Sequence, residues 1–351
     1  MPAESQYKAF LVDPKILDID PHFTEGCPSC HRGNPQAASR EKAHTGMVRK
    51  PSSDLKICAQ CHGKITDNYK TSLHFTTEGF RTGVSGRFSA SEKKIFNEKV
   101  FEQSCRSCHA SCGDCHVASP KIGGITTGLL KGHQFVAKND AKTCSTCHGG
   151  RVYPEFTGEF NGQADVHYQK GMTCLDCHTM PEMHGTGKYY MTKTDVKEKP
   201  ACVNCHKAGS EKTPTAKTSH MQHQGKVSCY ACHSGGSYTN CYNCHPGKGA
   251  TPKPGFYLGL NPKDRTTVTT LRLVPTVRDT FKSTGIVMKN YDLVPNYWGS
   301  AVHNIKKRTD RTHSCEACHA EKKYFLTKDK LIKDGSKANN LLLYNPKPIQ
   351  K

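Results

Sequence analysis

The sequence predicts an irregular fold with low secondary structure, mostly coil with short helices and a few strands, and without an ordinary apolar core. Composition gives the first two indications. Only 35% of the 351 residues are hydrophobic, which is little material for a core. The 30 glycines and 19 prolines favour many turns and few long elements. The third indication is a motif, Cys-x-x-Cys-His, which occurs ten times and uses all 20 cysteines.

The chemistry of this motif is covalent attachment of c-type haem. Its two thiols bond to the vinyl groups of one haem, and its histidine becomes the proximal ligand of the iron. The predicted attachment residues are Cys27, Cys30, Cys58, Cys61, Cys105, Cys108, Cys112, Cys115, Cys144, Cys147, Cys174, Cys177, Cys202, Cys205, Cys229, Cys232, Cys241, Cys244, Cys315 and Cys318. The predicted proximal ligands are His31, His62, His109, His116, His148, His178, His206, His233, His245 and His319. The sequence therefore predicts ten covalently bound haem c groups.

Two other uses of paired cysteines do not account for this pattern. A disulfide framework in a secreted protein has no need of a histidine after every second cysteine. Structural zinc sites pair one Cys-x-x-Cys with another, and they do not require that histidine either. Ten complete motifs with no cysteine left over favour haem over both alternatives.

Ten further histidines match the ten motifs in number. They are His22, His44, His74, His133, His167, His184, His220, His223, His303 and His313. We expect them to be distal ligands, so that methionine, the other common sixth ligand, is not needed. Iron with a histidine on both faces has no open position for a substrate, so the sequence predicts electron transfer and no enzyme activity. A multihaem reductase is the alternative if one of these histidines is not a ligand.

Haems in this number take the place of the missing core. The 351 residues leave about 35 per haem, and we expect them to wrap a stacked ten-haem array as a thin, loop-rich layer. A formal charge of +20 would usually indicate nucleic acid or an acidic membrane as partner. Ten haems, however, bring roughly 20 propionate carboxylates, partly offset by ferric iron. We therefore expect the lysines and arginines to be counter-charges, and no nucleic-acid binding.

Motif spacing divides the chain into three parts, which we expect to form one continuous unit. Residues 1–245 carry haems one to nine, 246–314 form a cysteine-free insert or arm with β structure, and 315–351 carry haem ten and the C-terminal tail. Within the insert, the β-branched stretch 266–274 predicts a strand. The insert is interpreted either as a structural cap or as a contact with a neighbouring subunit.

Two motifs almost touch along the chain, at Cys105-Arg106-Ser107-Cys108-His109-Ala110-Ser111-Cys112-Gly113-Asp114-Cys115-His116. Three residue steps reach about 10 Å, so we expect haems three and four to be neighbours. Together with the balance of histidines and the long coil connections, this double motif resembles the multihaem c-type cytochromes. Among them it is similar to the extracellular cytochromes that polymerise into conductive filaments, the "cytochrome nanowires". The resemblance covers residues 22–319.

The resemblance implies electron hopping along the haems of a self-associated filament, with other redox proteins or extracellular electron acceptors as partners. In that group a haem near one end can take its distal histidine from the next subunit, and we expect His22 or His303 to be the candidates. The alternative is a discrete periplasmic or cell-surface carrier, or a subunit of a respiratory complex. The decahaem proteins that thread through outer-membrane porins have more evenly spaced motifs than this chain.

Haem chemistry also predicts the location. Covalent haem attachment takes place outside the cytoplasmic membrane, so we expect an extracellular or cell-surface protein, with the periplasm as the alternative. No signal-peptide apolar segment occurs near Met1, and we expect the export signal to have been removed. The sequence contains no run of 18 apolar residues, so no transmembrane segment is predicted.

Overall fold

The computed structural model describes residues 14–118, 121–122, 125–126, 134–135, 141–159, 163–207, 210–235, 256–274 and 276–349. The chain divides into two compact units that interleave in sequence. The first comprises Met1–Thr77, His109–Cys144 and Met180–Tyr190. The second comprises Glu78–Cys108, Ser145–Thr179 and Met191–Lys351. The three-part division expected from the motif spacing stays a prediction.

The helices are short, as the sequence predicts. They are α1 Pro14–Ile19, α2 Cys27–His31, α3 Arg40–Ala43, α4 Leu55–Tyr69, α5 Leu73–Thr76, α6 Glu78–Ser85, α7 Ala90–Phe96, α8 Cys112–His116, α9 Ala141–His148, α10 Val152–Thr157, α11 Met180–His184, α12 Pro214–His223, α13 Cys229–His233, α14 Asp310–His313 and α15 Glu316–His319. Short 3₁₀ turns include Cys105–Cys108, Cys174–Asp176 and Cys202–Asn204, and a π-helical turn spans Asn97–Phe101. None of the helices in the described part of the chain is long and apolar enough to cross a membrane.

Every motif that the structure describes has a helical turn over its cysteines. This geometry suits the motif because residues three and four apart lie on the same helix face, so both thiols and the histidine point to one side. Two of these turns begin with a capping box, which the residue just before the first cysteine forms with an aspartate inside the motif. Ser111 and Asp114 cap α8, and Thr173 and Asp176 cap the 3₁₀ turn Cys174–Asp176. Local sequence is thus sufficient to shape the attachment turns.

In the part of the chain that the structure describes, seven strands form three small antiparallel sheets. The strands are β1 Val117–Ala118, β2 Lys121–Ile122, β3 Ile125–Thr126, β4 Gln134–Phe135, β5 Phe256–Leu260, β6 Val268–Leu273 and β7 Tyr297–Gly299. β1 pairs with β4, β2 pairs with β3, and the third sheet has the order β5-β6-β7. The strand predicted within 266–274 is confirmed as β6, the central strand of the largest sheet.

The β5-β6-β7 sheet holds two attachment motifs. Val268 at the start of β6 exchanges main-chain hydrogen bonds of 2.8 Å with Lys226 and Ser228, just before motif helix α13. Leu258 in β5 bonds to Tyr324 and Leu326, at 2.8 and 2.9 Å, just after motif helix α15. The insert therefore fixes the chain just before the eighth motif and just after the tenth.

The second unit has a protein core, which the sequence analysis did not expect. Among the described residues, many of its buried side chains form three hydrophobic clusters. They are Phe88, Phe96, Phe101, Ile286, Met288 and Tyr291; Leu271, Leu273, Tyr297, Leu326 and Leu342; and Ala231, Leu258, Val268 and Phe325. The reason is that the long motif-free insert supplies apolar side chains that pack against protein, whereas the average composition of the chain conceals this local enrichment.

Candidate haem-binding site

Histidine rings face each other in pairs at a constant separation. Six pairs have ring centres 5.9–6.2 Å apart. The pairs are His22 with His62, His184 with His116, His167 with His206, His303 with His178, His220 with His233, and His223 with His319. Each joins one motif histidine to one of the other ten. Among the described residues, no histidine ring contact joins two histidines of the same kind.

This separation is the one that a shared metal ion requires. Two metal–imidazole bonds of about 2.0–2.1 Å, with about 1.1 Å from each bonding nitrogen to its ring centre, add to about 6.3 Å. Direct stacking brings rings much closer, as His22 and Phe135 show at 3.9 Å. The angles between paired ring planes range from 11° to 70°, whereas direct contact would favour particular angles. The pairs therefore fit two axial ligands on opposite faces of one iron.

Hydrogen bonds orient the rings for this role. The Nδ1 atoms of His223, His233 and His319 donate to the main-chain carbonyls of Ser219, Lys306 and Lys347, at 2.7, 3.1 and 2.6 Å respectively. A ring that donates from Nδ1 keeps Nε2 deprotonated and available for a metal. The donor set thus fits haem iron.

Three of the other rings donate to carboxylates. His22 Nδ1 donates to Asp20 at 2.7 Å, His167 Nδ1 to Asp165 at 2.8 Å, and His220 Nδ1 to Glu211 at 2.7 Å. These acids are functional candidates that the sequence analysis missed. A signal existed for two of them, since Asp20-Pro21-His22 and Asp165-Val166-His167 share the spacing Asp-x-His. Glu211 lies nine residues before His220, and no local pattern indicates it.

His303, the ring that faces His178, lies in an enclosed environment. Burial, together with the neighbouring charge of Arg151, lowers the pKa of His303 to about 3. Its Nδ1 is buried and has no hydrogen-bond partner among the described residues. Burial also lowers the pKa of His184. The imidazoles of His303 and His184 are therefore neutral at pH 7, which is the form that binds a metal.

Cysteines of different motifs approach each other. A hydrogen bond between the Cys58 and Cys112 thiols lowers the pKa of Cys112 to about 7 and raises that of Cys58. A second such bond joins Cys202 and Cys229, and it lowers the pKa of Cys229 to about 6. The attachment points of motifs two and four, and of motifs seven and eight, are therefore neighbours.

Sequence proximity does not decide which histidines meet. His22 precedes the first motif but faces His62 of the second, and His167 precedes the sixth motif but faces His206 of the seventh. Of the six pairs in the described residues, only that of His220 joins a histidine to the motif that follows it, through His233. Tertiary packing therefore sets the pairing.

Four predicted ligand pairs stay predictions. His31, His109, His148 and His245 are the remaining motif histidines, and His44, His74, His133 and His313 are the remaining others. His133, Cys241, Cys244 and His245 lie outside the described residues.

The comparisons with known proteins concern one segment. Residues 166–246 match the family model described as Cytochrome c3. This segment contains the motifs that begin at Cys174, Cys202, Cys229 and Cys241. No curated protein and no solved structure matches the chain. The family match supports a multihaem c-type cytochrome with covalently bound haem.

Proposed function

We propose that this multihaem c-type cytochrome carries ten covalently bound haems and transfers electrons along them. The observation that carries the proposal is the set of six histidine pairs, each joining one motif histidine to one other at 5.9–6.2 Å. An ordinary cluster of histidines would give mixed pairings and mixed distances. The Cytochrome c3 match supports the same class of function from sequence.

The residues divide the work of holding the cofactor. The paired cysteines of each motif would form the covalent bonds to a haem, and the motif histidine and the histidine that it faces would both bind the iron. Carbonyl or carboxylate acceptors hold six of these rings through Nδ1, which leaves Nε2 available for a metal; the rings are His22, His167, His220, His223, His233 and His319. Bound haem supplies reversible one-electron chemistry.

Contacts between motifs support a continuous chain of sites. Cys202 contacts Cys229, which joins the seventh motif to the eighth. Cys205 lies close enough to Cys177, and Cys232 close enough to Cys318, for their sulfur groups to interact, which relates motif six to seven and motif eight to ten. Neighbouring attachment points keep each transfer distance short, which is what an electron carrier needs.

Two axial histidines per iron favour a carrier over an enzyme. We propose that the protein has no catalytic haem, because a substrate needs an open coordination position. The test is the absorption spectrum of the ferrous protein with carbon monoxide. An unchanged spectrum is expected, and a shift that corresponds to one haem would instead identify a reductase site.

The haem count is tested by the mass of the denatured protein. We expect the polypeptide plus ten haems. The variant Cys202→Ala/Cys205→Ala should lose one haem and keep nine, because thioether bonds alone survive denaturation. A wild-type mass with fewer than ten haems contradicts the proposal.

The resemblance to filament-forming cytochromes extends the proposal to an extracellular polymer, with electron acceptors outside the cell. His22 and His303 each face a motif histidine of their own chain, so we assign both to haems of that chain and not to a neighbouring subunit. Electron microscopy of protein released from cells without detergent tests the polymer. Ordered filaments are expected, whereas compact particles alone would favour a discrete periplasmic or cell-surface carrier.

A further inference from the structure

Helix α12 carries ligands for two different motifs. His220 faces His233 of the eighth motif, and His223 faces His319 of the tenth, both with ring centres 6.0 Å apart. The two histidines are three residues apart, which is about 4.5 Å along a helix axis. One turn of helix therefore holds two neighbouring iron sites.

The two sites are alike on the motif side. His233 Nδ1 donates to the main-chain carbonyl of Lys306, at 3.1 Å, and His319 Nδ1 donates to that of Lys347, at 2.6 Å. Both motif histidines thus have a neutral amide carbonyl as acceptor. The hydrogen-bond acceptors on the motif side therefore do not distinguish the two sites.

The acceptors of the two α12 histidines differ in charge. His220 Nδ1 donates to the carboxylate of Glu211 at 2.7 Å, whereas His223 Nδ1 donates to the main-chain carbonyl of Ser219 at 2.7 Å. The Glu211 side chain is only 11% exposed, so solvent screens its charge incompletely. A carboxylate acceptor makes an imidazole a stronger base than a carbonyl acceptor does. A more basic ligand stabilises ferric over ferrous iron, and hydrogen bonding around the ligands is a recognised determinant of haem potential.

We propose that Glu211 is a positioning residue that gives the haem held by His220 and His233 a lower reduction potential than the haem held by His223 and His319. This inference rests on the proposed function, since it requires that both pairs ligate haem. An electron shared between the two sites, one iron becoming ferric as the other becomes ferrous, then resides mainly at the tenth motif. Helix α12 thereby gives this part of the haem chain a direction.

The test is a spectroelectrochemical titration of the variant Glu211→Gln. Glutamine keeps an oxygen acceptor for His220 and removes the charge. We expect one haem to shift to higher potential, with a ferrous-to-ferric ratio at fixed potential changed about tenfold, or about 59 mV for a one-electron couple. The matched control is Glu98→Gln, an exposed carboxylate on the π-helical turn, which should titrate as the wild type does. A Glu211→Gln curve that superimposes on the wild-type curve overturns the inference.

A second variant assigns the effect to its ring. In a His220→Ala background, Glu211→Gln should no longer move any midpoint of the low-spin haems. A shift that persists there means that Glu211 acts elsewhere, and the inference fails. The masses of all variants show whether a negative result concerns the role of Glu211 or the haem content. Ten haems with unmoved midpoints contradict the role of Glu211 alone, whereas missing haems contradict the proposed function.

Discussion

At the scale of single residues, the acceptor of each histidine Nδ1 proton distinguishes otherwise similar sites. Asp20 and Asp165 occupy the same position relative to His22 and His167, and in each case one carboxylate oxygen accepts both the main-chain N–H and the Nδ1–H of the histidine. The Asp-x-His spacing thus presents a histidine ring in a fixed orientation. It does so with local hydrogen bonds, independently of the partner that the ring faces.

His167→Ala should change one haem from low-spin to high-spin. The alanine cannot bind iron, so the site that His206 shares with His167 loses its distal ligand, and its potential should rise. Electron paramagnetic resonance and absorption spectra of the ferric protein measure the change. An entirely low-spin spectrum would remove His167 from the ligand set.

Asp165→Asn should destabilise the fold more than Asp20→Asn does. The Asp165 side chain is 2% exposed, and its second oxygen accepts the Ile305 N–H at 2.6 Å. An amide nitrogen at that position would face this donor, which costs about 1–3 kcal/mol. The Asp20 side chain is 14% exposed and uses one oxygen for its bonds to His22, which asparagine can keep. The main-chain N–H of Phe135 also bonds to Asp20, but water can replace that bond at this more exposed site. Thermal unfolding of both variants compares the losses, and equal losses would contradict the argument.

At the scale of elements, strands of the insert hydrogen-bond to the chain segments next to two motifs. β5 and β6 each add a main-chain hydrogen-bonded segment, one beside α15 and one beside α13. The only tryptophan, Trp298, lies in β7 and packs against α6, where Gly83 has no side chain to obstruct it. A Cβ atom at Gly83 would lie 2.5 Å from Trp298 Cη2. This close approach joins helix α6 to the sheet.

Gly83→Ala should therefore lower the stability of the protein by about 1–3 kcal/mol, because the indole has to move out of a packed site. Gly79→Ala in the same helix is the matched control, since a Cβ atom there meets nothing within 4 Å. Alanine favours helix over glycine by about 0.5–1 kcal/mol, so the control should be neutral or stabilising. Chemical denaturation followed by circular dichroism measures both, and a neutral Gly83→Ala would contradict the packing argument.

At the scale of the whole molecule, the net charge depends on the number of bound haems and on the oxidation state of their iron. The polypeptide has a formal charge of +20. Two propionates and one iron per haem would bring the total to about +10 when all ten irons are ferric and to about 0 when all are ferrous. With ten haems bound, the lysines and arginines would balance the charge of the reduced protein.

Reduction should lower the isoelectric point of the native protein. Isoelectric focusing before and after addition of dithionite measures the shift. The Cys202→Ala/Cys205→Ala variant, which should lack one haem, is expected to focus at a higher pH in both states and to shift slightly less. An isoelectric point that does not respond to reduction would contradict a large haem content.

Local features of this protein follow from its sequence alone. Ten motifs and ten further histidines set the candidate ligands, the capping residues Ser111 and Thr173 start attachment turns, and the stretch 266–274 forms the strand β6. Each depends on neighbours in the chain, and local propensity is sufficient for them. Three other features follow from tertiary packing alone. His167 faces His206, α12 carries histidines that face two different motifs, and Glu211 accepts a hydrogen bond from one of those histidines. These pairings depend on how distant segments pack, and spacing along an irregular chain does not specify that packing.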